Sequence, residues 1–180
     1  INVSNFMDGL NGYLSSEILF LCIAGFMFFG DSLFIVFAVS ILGFLYWNFG
    51  NNASIFMGDV GSTLLGYNIA IFTIYYANID SNNLWIWIIL FGLFWFDSIL
   101  TIFRRKLNGE DISKAHKKHA YQRLHQSGWS HLQVSLFGMG INIVLFMIVY
   151  FISNIAIAFI CSLIVLYGMI RFIDSKKVFR

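Results

Sequence analysis

An all-α, polytopic integral membrane fold with about six transmembrane helices is predicted by three observations. The chain of 180 residues is 59% hydrophobic and only 11% charged, its mean hydropathy is +0.78, and long apolar stretches recur from one end to the other. So little charge cannot cover a water-facing surface. A hydrocarbon core of about 30 Å takes roughly 20 helical residues to cross.

Six stretches approach that length, at residues 13–29, 32–47, 63–77, 84–103, 132–152 and 155–173. They form one membrane domain over residues 1–180. Twenty-one Phe residues among many Ile and Leu suit lipid-facing helices, and the ~10-residue alternation of an outer-membrane barrel is missing. Cys22 and Cys161 fall inside apolar spans, where small, weakly polar residues pack without implying a disulfide or a metal. The opening residues contain no basic n-region, so no secretory signal is predicted.

All eleven Lys and Arg residues lie at or beyond Arg104. With six spans, the basic loop 104–131 and the C-terminal tail share one side, and the positive-inside rule makes it cytoplasmic. Counting back places residues 2–12 and 48–62 on that side too. The opposite turns, at 30–31, 78–83 and 153–154, carry no basic residue. Trp85 and Trp87, just after the second of them, are expected in an interfacial aromatic belt.

Three polar segments on the cytoplasmic side are denser in functional side chains than solubility requires. In the first, residues 2–12, side-chain oxygens recur every three residues at Asn5, Asp8 and Asn11. On a helix that spacing shares a face, and it suits a hard cation or a nucleobase edge as well as a plain polar helix end. The second, Phe56-Met57-Gly58-Asp59-Val60-Gly61-Ser62-Thr63, immediately precedes a span. Its glycines allow close backbone approach and the following helix N-terminus favours phosphate. A lone carboxylate there invites Mg²⁺, which binds one or two protein oxygens plus substrate phosphates. No Lys follows Gly61, so this is not a Walker loop.

The third holds His116-Lys117-Lys118-His119 and Arg123, then His125 and His131. Histidines at i and i+3 could share a helical face beside Lys and Arg, a cluster suited to phosphate or to acid–base work. Anchoring on anionic lipid, at about 1 kcal/mol per basic residue, and zinc binding are the alternatives. Asp97 lies within span four, and an intramembrane carboxylate is costly enough to be a functional candidate. Glu17, nearer a span end, is expected to snorkel or pair locally.

In this order and on one face, Asn5-Phe6-Met7-Asp8-Gly9-Leu10-Asn11-Gly12, Phe56-Met57-Gly58-Asp59-Val60-Gly61-Ser62, and Asp97 followed by Thr101, Arg104 and Arg105 resemble the polyprenyl-phosphate N-acetylhexosamine-1-phosphate transferases, glycosyltransferase family 4. The loop from His116 to Leu124 looks most like the branch that initiates O-antigen or capsular polysaccharide. The resemblance implies transfer of a sugar-1-phosphate from a UDP-N-acetylhexosamine to undecaprenyl phosphate with release of UMP, at the cytoplasmic face of the bacterial inner membrane. It implies Mg²⁺, with Mn²⁺ as the alternative ion, held by Asn5 and Asp59. Asp8, Asp59, His116 and His119 form the implied catalytic set, and Asp8, Gly9, Asn11, Asp97, Lys118 and Arg123 the implied substrate-binding set. Nucleotide sugar, lipid phosphate and bilayer are the expected partners, with a homodimer as a further expectation and no nucleic acid.

Two departures stand out. Asn11 occupies a position where bacterial members commonly carry a second Asp. Members also have about ten or eleven spans and an acidic pair in an earlier loop, so the chain is expected to be the C-terminal part of a larger transferase, inactive alone. The alternative from another class is a non-enzymatic membrane subunit or transporter half that uses Asp97 for ion coupling.

Overall fold

In the computed structural model, which describes residues 1–50 and 53–179, the described residues form nine α-helices and no strand. They are α1 (Asn2–Phe6), α2 (Tyr13–Phe29), α3 (Leu33–Asn48), α4 (Gly58–Ile79), α5 (Ser81–Leu90), α6 (Gly92–Leu107), α7 (Ala120–Gln126), α8 (His131–Phe151) and α9 (Ile155–Lys176). The all-α membrane fold is as expected, and each apolar stretch is helical. By length and apolarity two described helices, α8 and α9, can cross a membrane, or three if the bent pair α5–α6 is one span. Helices α2 and α3 are apolar but hold 17 and 16 residues, about 25 Å of rise.

The chain reverses where local chemistry ends a helix. Gly30 adopts φ +68° and closes α2 with its N–H on the Phe26 carbonyl, a left-handed cap that glycine reaches without strain. Asp31 then accepts the Leu33 N–H and the Tyr76 hydroxyl, so the α2–α3 turn is tied to the end of α4. Asp80 caps α5 and Asn154 caps α9 by accepting first-turn amides, which satisfies donors that a helix start leaves open. Trp87 is buried at this end against Phe29 and Phe34. Trp85 stays exposed and meets Phe159 edge-on.

The stretch expected as one span at 84–103 is two helices bent by 72°. Gly92 sits at the break, where a Cβ would come within 3.0 Å of Leu166, so α6 can turn against α9. Trp95 Nε1 donates to the Ile88 carbonyl, 2.7 Å away, and covers backbone near the kink.

Glu17 neither snorkels nor pairs within its own helix. It is buried on α2 and accepts the Asn142 side-chain amide from α8, joining two helices that pack together. Such interhelical bonds stabilise membrane bundles by about 0.6–2 kcal/mol. Asn142→Ala leaves the carboxyl buried without its donor and is expected to lower the thermal midpoint in detergent. A midpoint unchanged from the parent would contradict this.

Candidate active site

The short helix α1 lies on α4 because Gly66 leaves room for it. A Cβ on Gly66 would meet Ser4 Oγ at 2.6 Å and Ile1 Cα at 3.0 Å. That approach brings the first polar segment onto the second. Asn5 Nδ2 donates to Asp59 Oδ1 at 3.0 Å and to Ser62 Oγ at 3.1 Å. Asp8 follows in the turn after α1, close to Gly58 and Asp59.

Burial, and next the Asp59 charge, push the Asp8 carboxyl up to about 7, against the pull of the Gly58 N–H. Two neighbouring carboxylates with amide and hydroxyl oxygens are the donor chemistry of a hard divalent cation. Asn5 has its carbonyl oxygen left for a ligand once its Nδ2 is committed. Among the described residues no three of His, Cys, Asp and Glu gather in a metal-binding group.

Two local expectations differ. Of Asn5, Asp8 and Asn11 only Asn5 is helical, since α1 ends at Phe6. The Gly58–Thr63 segment does not precede a helix but forms the first turns of α4, with Gly58 at φ +66°. Gly61 packs on Met57, whose sulfur lies 2.7 Å from a would-be Cβ.

Asn11 points away from the Asn5–Asp59 pair. Its side chain donates to the Gly50 carbonyl and its N–H to His131 Nδ1. Beside it, buried Asn48 accepts from Gly12 N–H and Ser15 Oγ and donates to the Ile55 carbonyl. Asn48 therefore stitches the first segment to the approach of the second. It was not singled out from sequence, where its one signal is a polar residue closing an apolar run.

The histidine loop is built on α6. Asp97 is 3% exposed, and both its oxygens lie 2.8 Å from the Ala120 nitrogen, with Thr101 Oγ1 donating at 2.9 Å. The carboxylate thus anchors the start of α7. Arg105, also buried, pairs with Glu110 and donates to the carbonyls of Asp111, Ile112 and Lys114, folding that loop back over α6.

His116 and His119 precede α7 and so do not share a helical face. The loop nevertheless sets their rings 4.9 Å apart. His119 is buried, its Nδ1 3.6 Å from Asp97 and its ring stacked 6.2 Å from Phe6. Both histidines line a cleft of about 400 Å³ with Phe6, Arg105, Lys114 and Gln122. Burial, then the neighbouring His119, depress the His116 imidazole to about 4.

Lys118 and Arg123 are held in ion pairs. Lys118 Nζ is 2.7 Å from Glu110, and buried Arg123 reaches Asp174, which also takes Arg104. The Phe179 ring lies 5.3 to 5.8 Å from all three cations, within cation–π range. Asp174, the acidic residue of a basic tail, was not anticipated.

The sequence profile described as Glycosyl transferase family 4 matches residues 1–77. A Bacillus subtilis protein named probable undecaprenyl-phosphate N-acetylglucosaminyl 1-phosphate transferase is 38% identical over 139 residues, 72% of this chain and 38% of its own. The decaprenyl-phosphate N-acetylglucosaminephosphotransferase of Mycobacterium tuberculosis H37Rv is 33% identical over 164 residues, 76% and 40% of the two chains. A phospho-N-acetylmuramoyl-pentapeptide-transferase of Acaryochloris marina is 32% identical over 150 residues, 74% and 38%. The chain thus spans about two fifths of the length of these relatives. No solved structure matches it.

Two titrations check the electrostatics. His116 is expected to stay neutral at pH 7 and to protonate near 4. The folded form then binds fewer protons than the unfolded chain between about 4 and 6.5, so this group lowers stability as the pH falls through that window. Imidazole NMR reads the midpoint directly, and a value near 6.5 contradicts it. Asp59→Asn should bring the Asp8 midpoint down from about 7, though not to the ordinary carboxylate value, since burial is the larger cause; carbonyl NMR detects the shift.

Proposed function

The chain belongs to the polyprenyl-phosphate N-acetylhexosamine-1-phosphate transferase family, and from that premise we propose that it is the catalytic-face portion of an enzyme that moves a sugar-1-phosphate from a UDP-N-acetylhexosamine to undecaprenyl phosphate and releases UMP. In this reading it starts a cell-envelope polysaccharide of the O-antigen or capsule kind. N-acetylglucosamine is the sugar named for the Bacillus and Mycobacterium relatives. The enzyme sits in the bacterial inner membrane with its polar segments in the cytoplasm.

The observation that carries the reading is the Asn5–Asp59 hydrogen bond, which unites two motifs 54 residues apart with Asp8 beside them. Asn5 and Asp59 would hold Mg²⁺, and Mn²⁺ in its place. The ion would neutralise charge on the diphosphate and on the departing UMP. Asp8 and the backbone from Gly9 to Asn11 would meet the uridine, the Asn11 side chain being held by the Gly50 carbonyl. His116 and His119, on the cleft with Lys114, face the diphosphate or sugar, while Lys118 and Arg123 supply positive potential from their ion pairs.

Asp97 acts one step removed, by holding Ala120. The same engagement speaks against Asp97 as the ion-coupling group of a transporter, because both carboxylate oxygens already have a donor. Asp59→Ala in the complete enzyme should reduce Mg²⁺-dependent UMP release at least ~100-fold, since metal charge stabilisation is worth several kcal/mol. The assay uses membranes containing undecaprenyl phosphate, and near-normal turnover would sink the proposal. The isolated chain is expected to show little or no transfer.

A further inference from the structure

We propose that Tyr121 is a positioning residue that latches the histidine loop to the segment Phe6–Asn11, so that the two sides of the site move as one body. The jobs of those two sides rest on the function proposed above; the latch itself rests on contacts. Tyr121 is 2% exposed, and its hydroxyl donates to the Phe6 carbonyl at 2.9 Å. That carbonyl ends α1, where a helix leaves acceptors open.

Gly9 supplies the second half of the latch. Its φ is not positive, so the backbone conformation there does not call for glycine. Space does. A Cβ on Gly9 would collide with the Tyr121 hydroxyl and come within 3.2 Å of Cζ and 3.3 Å of Gln122 Nε2. The missing side chain at Gly9 therefore makes room for Tyr121 rather than for a ligand at that face.

The tyrosine is itself held rigidly. Its ring stacks on Tyr13 at 4.7 Å, and Tyr13 stacks on Phe94 of α6 at 5.3 Å. Burial, and next the Asp97 charge, hold the phenol well above its ordinary range, so it remains a donor. The first turn of α7 is then fixed at two points: Ala120 on Asp97 of α6, and Tyr121 on Phe6 of α1. His119 lies directly before them, and Gln122 Oε1 accepts its N–H at 3.3 Å. A shift of either segment carries the other with it.

The test is a two-residue cycle on the full chain in detergent: Gly9→Ala, Tyr121→Phe and the double variant. Gly9→Ala should lower the thermal midpoint, and Tyr121→Phe, which deletes the colliding oxygen, should recover at least half of that loss in the double variant. Tyr121→Phe alone should raise amide hydrogen exchange about tenfold in residues 6–11 and 116–122 together, the scale of one lost hydrogen bond. In the complete transferase it should reduce kcat about tenfold with nucleotide-sugar KM within twofold.

A harmless Gly9→Ala, a double variant no better than Gly9→Ala, or faster exchange confined to 116–122 would each overturn the latch. Unchanged kcat with coupled exchange would reduce Tyr121 to a structural role and overturn its positioning role. Coupled exchange without transfer by the unmodified complete enzyme would instead count against the proposed reaction.

Discussion

Both oxygens of Asp97 lie 2.8 Å from one backbone nitrogen, that of Ala120, and most of the site hangs from this contact. A carboxylate inside an apolar bundle is costly unless donors reach it. The start of a helix has amides with no partner of their own. Each need meets the other here, so α7 begins where α6 presents its acid. Thr101, one turn along, adds a hydroxyl, and Arg105, a further turn on, gathers the loop carbonyls. One face of α6 thereby organises the loop that carries His116 and His119.

The two halves of the site have opposite electrostatic character. Asp8 and Asp59 concentrate acidic groups around Asn5, where the proposed cation would compensate them. Across Phe6, the histidine cleft is lined by Arg105 and Lys114, and the nearby loop and tail are joined by the Arg104–Asp174–Arg123 pairs, two cations to one carboxylate. The nucleotide sugar of the proposed reaction would meet both halves in one molecule, its diphosphate at the basic loop and its base at neutral oxygens and amides. Phe6 separates the halves while its carbonyl joins them through Tyr121.

Much of this was readable from the residues alone. Clustering of the polar segments at one end followed from hydropathy and charge, and hydrogen bonds between Asn5 and Asp59, Asn48 and Gly12, and Arg123 and Asp174 do join them there. Local geometry was less readable. Spacing of three suggested helical faces for Asn5, Asp8 and Asn11 and for His116 and His119, yet α1 stops at Phe6 and α7 starts at Ala120. A three-residue spacing marks a helix only if the helix continues; here a tertiary donor, the Tyr121 hydroxyl, meets the carbonyl that ends α1, and a tertiary acceptor, Asp97, meets the amide that starts α7.

By itself the sequence determined the class of the molecule: an apolar helical chain whose scarce charge must collect where water is, with motif order enough to indicate a family. Hydropathy and charge sum along the chain and need no partner to be read. Which polar groups face a ligand and which are consumed as struts was decided by the tertiary structure. Asp97, Arg105, Arg123 and Asn48 look equally available in one dimension. Burial commits each of them to a partner tens of residues away or to loop carbonyls, because an unmet polar group in an apolar interior is too costly to leave.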